Sequence, residues 1–301
     1  MSRPVLHDAV PLPAHKTKHL PTLEYEFGQC VFSLAQLDNG NTNGTALWMG
    51  AQVLSAWLAH LLDSKHRGKQ PAVPGRRPRV LELGSGIGLS AYVFLFSSSS
   101  ICLRNSLALC SLGWDVLATD LPDVIDSVLA QNIVANLACL PPECGTIQIR
   151  ALDWTASPAE WSWEDGAVIA SATIPSALSS EIPATLLTAP FDLIITADTV
   201  YSPDLVEPLL RTLSHVYSIS VVPNNAKKAR HPQLYICIER RDPTLVDDFL
   251  DKARRVFTVT RVQTRKVAEA MESNGLRWSK EDWEGMEIWA FKQTRVLRKA
   301  C

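Results

Sequence analysis

The first candidate for chemistry is a glycine-rich turn, E-L-G-S-G-I-G at 82–88, which follows a short apolar run. Glycines at alternate positions let a backbone bend tightly and approach a ligand that a Cβ would exclude. Backbone amides at the start of the following helix are expected to face that ligand. A dinucleotide-binding fingerprint needs a third glycine where this chain has Leu89. The turn therefore predicts a nucleotide-type ligand and argues against a nicotinamide oxidoreductase.

Polar and aromatic side chains follow the next two predicted strands. Asp120 and Leu121 come after the second strand, and Asp153 and Trp154 come after the third. Ligands of open α/β sheets bind outside the carboxyl ends of the strands, where these residues should meet. We predict that Asp120 accepts hydrogen bonds from two ribose hydroxyls, Asp153 accepts one from an adenine amine, and Trp154 presents an apolar face. A helix N-cap role for Asp120 and surface packing for Trp154 are the alternatives.

The fold that must position these residues is read from strands alternating with helices, which predicts a doubly wound parallel sheet. We expect an α/β fold with a seven-stranded, mostly parallel sheet, an antiparallel last strand, and an N-terminal hairpin and helix as an extension. The strands are predicted at 79–83, 115–119, 146–152, 191–197, 233–238, 257–262 and 286–291. The helices are predicted at 46–62, 125–136, 204–217 and 244–254.

The chain divides into four parts by composition. Residues 1–20 are predicted to be a disordered tail, 21–78 a hairpin, a helix and a basic linker, 79–293 the ligand-binding domain, and 294–301 a tail. Within the domain, 157–190 is rich in Ala, Ser and Pro and is predicted to be a surface loop. Asp120 lies much farther beyond the glycines than the roughly 20 residues usual for a nucleotide fold. We therefore predict an insertion at 93–105.

Bulk composition narrows the function classes. The 301 residues are 47% hydrophobic, enough for a sizeable core, and the formal net charge of −2 argues against a dedicated nucleic-acid binder. The seven cysteines form no zinc-ligand spacing and are expected to be reduced thiols. No signal peptide and no run long enough for a membrane span is visible. We expect a cytoplasmic or nuclear monomer.

These motifs together resemble methyltransferase family 16, the seven-stranded lysine methyltransferases. The resemblance rests on T-A-L-W at 45–48, the glycine turn, T-D-L at 119–121, L-D-W at 152–154 and D-L-I-I-T-A-D-T-V-Y at 192–201. The stretches I-E-R-R at 238–241 and E-I-W at 287–289 are similar to the branch that contains methyltransferase-like protein 22 and its fungal relatives.

The resemblance implies S-adenosylmethionine as the cofactor, no metal, and a lysine of a non-histone protein, such as a translation factor or chaperone, as the methyl acceptor. It implies that Asp198 and Tyr201 are the catalytic residues. A carboxylate raises the pKa of a nearby ammonium, so Asp198 is expected to bind and orient the lysine, with the proton leaving to water. The predicted cofactor contacts are Trp48, Glu82, Gly84, Ser85, Gly86, Gly88, Asp120, Leu121, Asp153, Trp154 and Ala197.

Three alternatives stay open at this point. Asp198 could instead cap the helix near Pro203. The acceptor could be a small, nicotinamide-like amine held between Tyr201 and Trp154. The chain could also be an inactive methyltransferase fold that serves as a binding or assembly protein.

Overall fold

The computed structural model describes residues 11–27, 30–37, 43–65, 75–90, 114–139, 144–178, 185–223 and 229–293. The predicted insertion at 93–105, most of the basic linker, and the tail at 294–301 lie outside these residues. No helix among the described residues is long and apolar enough to cross a membrane.

The described residues form ten strands and five helices, and the helix α2 consists of three successive helical segments. The strands are β1 Thr22–Phe27, β2 Cys30–Ala35, β3 Arg79–Leu83, β4 Asp115–Asp120, β5 Ile147–Leu152, β6 Val168–Ala170, β7 Leu193–Ala197, β8 Gln233–Glu239, β9 Phe257–Arg261 and β10 Met286–Gln293. The helices are α1 Met49–Lys65, α2 Pro122–Val124 with Ile125–Leu129 and Ala130–Asn136, α3 Pro203–Ile219, α4 Pro243–Arg254 and α5 Thr264–Ser273.

The main sheet confirms the predicted fold class. Its strands lie in the order β6-β5-β4-β3-β7-β8-β10-β9. Strands β3 to β8 pair in parallel, while β10 runs antiparallel to both β8 and β9. The chain direction across the sheet reverses between β3 and β7, which is the switch point where ligands of such sheets bind.

The prediction of seven strands is wrong by one, because the segment 157–190 contributes β6. Its Val168–Ala170 pairs in parallel with β5, and Ile169 and Ala170 are buried. The buried guanidinium of Arg150 donates to the carbonyls of Trp163, Asp165 and Leu187, which ties this segment to β5. The Ala-, Ser- and Pro-rich composition predicted a surface loop, but a three-residue strand is too short to show a period of two.

Both faces of the sheet are covered, as a parallel sheet requires. Alternate residues of β3 point to opposite sides: Val80 packs in the cluster with α1, α2 and α5, and Leu81 packs in the cluster with α3 and α4. Helix α5 was not predicted from the sequence. Its buried residues Val267, Ala270 and Met271 lie at helical spacing, but charged residues surround them and leave only a short apolar stripe.

The predicted N-terminal hairpin is present, since β1 and β2 pair antiparallel across residues 28–29. Two buried asparagines of α2 hold it against the domain. The Asn132 side chain accepts from the Ala35 N–H and donates to the carbonyls of Ala35 and Ile87, and Asn136 bonds the backbone of Ser33 in the same way. Because Ile87 belongs to the glycine turn, Asn132 links the hairpin to the site.

The second half of the predicted disordered tail is packed against the domain. Ala14 is buried, and its N–H donates to the side chain of Gln52 on α1 at 2.8 Å, while Gln52 also donates to the Leu12 carbonyl. The Trp278 indole donates to the Pro11 carbonyl. The prediction is wrong for residues 11–20 because long-range polar contacts fix a segment that has no periodic pattern of its own. Residues 1–10 lie outside the described part of the chain.

Candidate active site

The glycine turn after β3 forms the floor of a cavity of about 260 Å³ at the carboxyl edge of the sheet. Gly84 has a φ of 70°, and a Cβ there would lie 2.8 Å from the Thr199 methyl and 3.3 Å from the Trp154 ring. Glycine is therefore required both by the backbone conformation and by the close approach of these neighbours. Predicted site residues that line the cavity are Trp48, Glu82, Gly84, Ser85, Gly86, Asp120, Trp154, Ala197, Asp198 and Tyr201.

The backbone amides of the turn are already engaged. The N–H groups of Gly84 and Ser85 donate to the Thr119 carbonyl, and that of Gly88 donates to the Ser85 carbonyl. The Gly86 N–H donates to Asp120 Oδ2 at 2.8 Å. These four amides are therefore paired within the protein, and the turn presents its glycine surface and the Ser85 hydroxyl to the cavity. That amides at the start of the following helix face the ligand stays a prediction.

Asp120 is held rigidly at the end of β4. Its Oδ2 accepts from Gly86 N–H and its Oδ1 accepts from Leu121 N–H, both at 2.8 Å. Each carboxylate oxygen keeps further acceptor capacity, so ribose hydroxyls could still bind here. Burial raises the pKa of Asp120 to about 6, and the two backbone N–H groups oppose that rise. The two amides fix the carboxylate at the border of the cavity.

Asp198 follows β7 in an unusual conformation. Its φ of 55° lies in the left-handed region, which costs a non-glycine residue about 1 kcal/mol or more. Its N–H donates to the Cys237 carbonyl at 3.0 Å, and its Oδ2 accepts from the Gly50 N–H at 2.6 Å. The carboxylate thus lies at the N-terminus of α1, where helix dipoles favour negative charge. It does not cap α3, whose N-cap residue is Ser202.

Trp48, immediately before α1, contacts two cations. The Lys18 Nζ lies 3.1 Å from the ring centroid, and the Arg241 guanidinium carbon lies 4.3 Å from it. Such cation–π contacts fix the ring, which forms part of the cavity wall. Tyr201 lies at the rim with 47% of its surface exposed, and partial burial raises the pKa of its hydroxyl.

Four polar side-chain atoms around the cavity are buried without a hydrogen-bond partner among the described residues. They are Glu82 Oε2, Ser85 Oγ, Trp154 Nε1 and Asp198 Oδ1. An unsatisfied buried polar atom costs about 1–3 kcal/mol, so each is a position where a polar ligand group would gain a partner. Donors and acceptors are both present, which fits a ligand that carries an amino-acid group and a nucleoside.

The cavity is predominantly acidic. Three carboxyl groups line it, those of Glu82, Asp120 and Asp198, against the single guanidinium of Arg241. Burial raises the pKa of Glu82 to about 8 and that of Asp198 to about 6. An incoming cation would return charge to both groups, so the site suits cationic ligands. No cluster of residues that could hold a metal ion occurs in the described ranges.

Three predicted cofactor contacts do not line the cavity. Asp153 Oδ1 accepts from the Thr155 N–H at 2.8 Å and from its hydroxyl at 2.7 Å, which closes a local turn. This Asx turn engages one of the two oxygens of the carboxylate that was predicted to accept from an adenine amine. Gly88 lies beneath the turn through its bond to the Ser85 carbonyl, and the Leu121 side chain points outward, 44% exposed.

Two residues of the site were missed by the sequence reasoning. Gly50 approaches Asp198 so closely that a Cβ would lie 2.5 Å from its Oδ2. Arg241 lines the cavity and stacks on Trp48. Its position just past β8 was a usable signal, because residues after each strand reach this edge. Nothing local marks Gly50, which meets Asp198 from 148 positions away.

Part of the chain is similar to a known protein family. The sequence profile of methyltransferase family 16, described as lysine methyltransferase, matches residues 33–174. Over this stretch, just under half of its length, the chain is similar to that family. The profile covers the end of β2, α1, the glycine turn, Asp120 and Trp154, and it ends before Asp198. The match confirms the predicted cofactor, S-adenosylmethionine; the assignment to a particular branch stays a prediction.

One relative of known function is the protein-lysine N-methyltransferase rrg1 of Schizosaccharomyces pombe, which is 30% identical over 118 residues. The match covers 39% of this chain and 31% of that relative, so it spans about a third of the relative's length. Solved structures with a loose likeness include a predicted O-methyltransferase from Agrobacterium tumefaciens, with 13% identity, 82% of each chain covered and a TM-score of 0.41. Another is a methyltransferase from Pyrococcus furiosus, with 11% identity, 86% of this chain and 88% of that chain covered, and a TM-score of 0.40.

Proposed function

We propose that this chain transfers a methyl group from S-adenosylmethionine to a lysine side-chain amine of a non-histone protein. The family and the likeness to rrg1 support lysine methylation. The observation that carries the proposal is the Asp198 carboxylate: one oxygen is fixed by Gly50, and the other is buried in the cavity without a partner among the described residues. An ammonium group would donate a hydrogen bond to this second oxygen.

The residues present fit the cofactor. Glu82 would accept from its α-ammonium group, the Ser85 hydroxyl would bond its carboxylate, and Asp120 would accept from the ribose hydroxyls. The Trp154 ring, in contact with Gly84, would cover an apolar face. When bound, S-adenosylmethionine supplies an electrophilic methyl group on a positively charged sulfur.

The chain's own residues then have two tasks at the acceptor. Lysine has an ordinary pKa of about 10.4, so its amine must lose a proton to water before it can attack. Asp198 binds the ammonium and orients it, and it stabilises the cationic product; it does not serve as the bulk base because it raises the amine pKa. Tyr201, at the rim, walls the channel through which the lysine arrives. Positioning of this kind supplies much of the rate in bimolecular transfers.

The acceptor class is tested by supplying S-adenosylmethionine with a tritiated methyl group to the chain in a cell lysate. We expect the label in protein bands and in methyl-lysine after hydrolysis. Asp198→Asn should lower the transfer about 100-fold, in line with the loss of a preorganised charged group, while cofactor binding persists. The matched control is Asp204→Asn on the exposed first turn of α3, which should transfer normally. Label that enters only small molecules, or unchanged transfer by Asp198→Asn, would contradict the proposal.

We further propose that the chain works in the cytosol or nucleus as a monomer. The described cysteines Cys144 and Cys237 are free thiols, which supports a reducing compartment. Fractionation of cells that express a tagged chain, with light scattering of the purified protein, tests both parts. Recovery in a secreted fraction would contradict the first part, and a stable dimer would contradict the second.

A further inference from the structure

Arg241 occupies a position that connects the acidic groups of the site. It follows β8 by two residues, and its guanidinium contacts the carboxylate of Glu239 at the end of that strand. The same guanidinium stacks on Trp48 at 4.3 Å from the ring centroid. Its side chain is half-exposed and lines the cavity together with Asp198. Two contacts of different kinds therefore hold one cation at the cavity wall.

Strand β8 brings Arg241 and Asp198 to the same place. Ala197 pairs with Cys237 in the sheet, and the Asp198 N–H donates to the Cys237 carbonyl. Glu239, two residues later on β8, adds a second carboxylate whose charge disfavours ionisation of Asp198, whereas the charge of Arg241 favours it. Other charged or titratable groups around the site are Cys237 on β8, Glu82 on β3, Asp120 on β4, Tyr201 past β7, and Lys18 over the ring of Trp48.

We propose that Arg241 is a positioning residue of this site: it neutralises Glu239 and, stacked on Trp48, forms the wall against which Asp198 receives the lysine ammonium. Without it, the guanidinium would no longer oppose the effect of the Glu239 charge on Asp198. Burial would then favour a neutral Asp198, which binds an ammonium poorly. This role rests on the proposed function, although its effect on Asp198 exists without any substrate.

Arginine suits this role better than lysine. A guanidinium is planar, so it can lie on an indole face and at the same time donate in its own plane to a carboxylate. A lysine at 241 would keep the charge but lose the stacked geometry. Arg241→Lys should therefore retain only part of the effect of Arg241 on the charge of Asp198, and Arg241→Gln should abolish that effect.

The chain offers a matched control in the preceding residue. Arg240 has the same charge, but it pairs with Asp247 at 2.8 Å and with Glu287 at 3.1 Å and does not line the cavity. Arg240→Gln removes one positive charge from the same loop without touching Trp48 or Glu239. Circular dichroism and calorimetric binding of S-adenosylhomocysteine would establish that each variant is folded.

The test titrates Asp198 directly by NMR of protein labelled with carbon-13 at the aspartate carboxyl groups, with Asp198→Asn to assign the signal. We expect Arg241→Gln to raise the pKa of Asp198 by on the order of 1 unit, Arg241→Lys by less, and Arg240→Gln by no measurable amount. At pH 6 such a rise lowers the ionised fraction from about one half to about one tenth, so methyl transfer should fall about fivefold more at pH 6 than at pH 8.

An unchanged pKa of Asp198 in Arg241→Gln would overturn this role, as would an equal shift in Arg240→Gln. The two proposals can fail separately. If the wild-type chain methylates no protein, the proposed function fails, and the NMR titration still decides whether Arg241 controls the charge of Asp198.

Discussion

Replacing Gly50 by alanine isolates the contact that fixes Asp198. Gly50 lies in the first turn of α1, where alanine would ordinarily stabilise a helix by up to about 1 kcal/mol. Here the new Cβ would lie 2.5, 2.6 and 2.7 Å from Asp198 Oδ2, Cγ and Oδ1, closer than real contacts allow. The helix terminus and the carboxylate must separate, and the 2.6 Å hydrogen bond is lost.

The competing free energies decide whether Gly50→Ala stabilises or destabilises the chain. A hydrogen bond to a charged group contributes about 1.5–3 kcal/mol, and overpacking costs about 1–3 kcal/mol. Both exceed the gain in helix propensity, so we expect Gly50→Ala to lower the free energy of unfolding by about 2–4 kcal/mol, measured by urea denaturation monitored by circular dichroism. The pKa of Asp198, about 6 in the native chain, should rise further because the Gly50 N–H lowers it.

Two controls make this prediction specific. At Gly275 no atom lies within 4 Å of the added Cβ, so alanine there costs only the strain of a positive φ, about 1 kcal/mol. In an Asp198→Ala background the overlap is absent, and the cost of Gly50→Ala should fall below about 1 kcal/mol, as a double-mutant cycle would show. If Gly50→Ala is as stable as the native chain, or equally costly with and without Asp198, the reasoning is refuted.

Three further predictions follow from the same geometry. Glu82 keeps a proton in the fold up to about pH 8 but loses it near pH 4.5 when unfolded, so the free energy of unfolding should fall as the pH rises between these values. Asp120 and Asp198, whose pKa values burial raises to about 6, add to this fall at lower pH, so Glu82→Gln should reduce the fall and abolish it between about pH 7 and 8 in a pH series of urea denaturation curves. A pH-independent native chain would contradict this. Arg150→Met removes the donor from the buried carbonyl of Leu187 and from the partly buried carbonyls of Trp163 and Asp165, and it should cost about 3 kcal/mol by the same method. The exposed Arg254→Met should cost little, and equal costs would contradict the prediction. Asp120→Asn should weaken the affinity for S-adenosylhomocysteine, measured by calorimetry, about tenfold, whereas Asp153→Asn should leave it unchanged. Equal losses of affinity would show that Asp153 belongs to the site.

The sequence was sufficient for the part of the site that depends on topology. In a parallel sheet the residues at the end of each strand reach a common edge, and this rule brought Gly84, Asp120, Trp154 and Asp198 together. It works because the strands were long apolar runs with clear limits. It failed for β6, whose three residues carry no periodicity, and for α5, whose apolar stripe is only one turn long.

Side-chain partners were less predictable than positions. Asp153 lies at the expected strand end, but its carboxylate accepts two hydrogen bonds from Thr155 in a local turn. The backbone N–H groups of the glycine turn likewise already donate to Thr119, Ser85 and Asp120. The contact between Gly50 and Asp198 depends on the docking of α1 against β7, and no pattern within either segment encodes it.

The most direct test of the central claim is a crystal structure of the chain with S-adenosylhomocysteine. We expect the ribose hydroxyls to lie against Asp120, the amino-acid group to lie between Glu82 and Ser85, and the thioether sulfur to face Asp198 and Tyr201. Adenosine bound outside this cavity, or an Asp120 carboxylate turned away from the sugar, would contradict it.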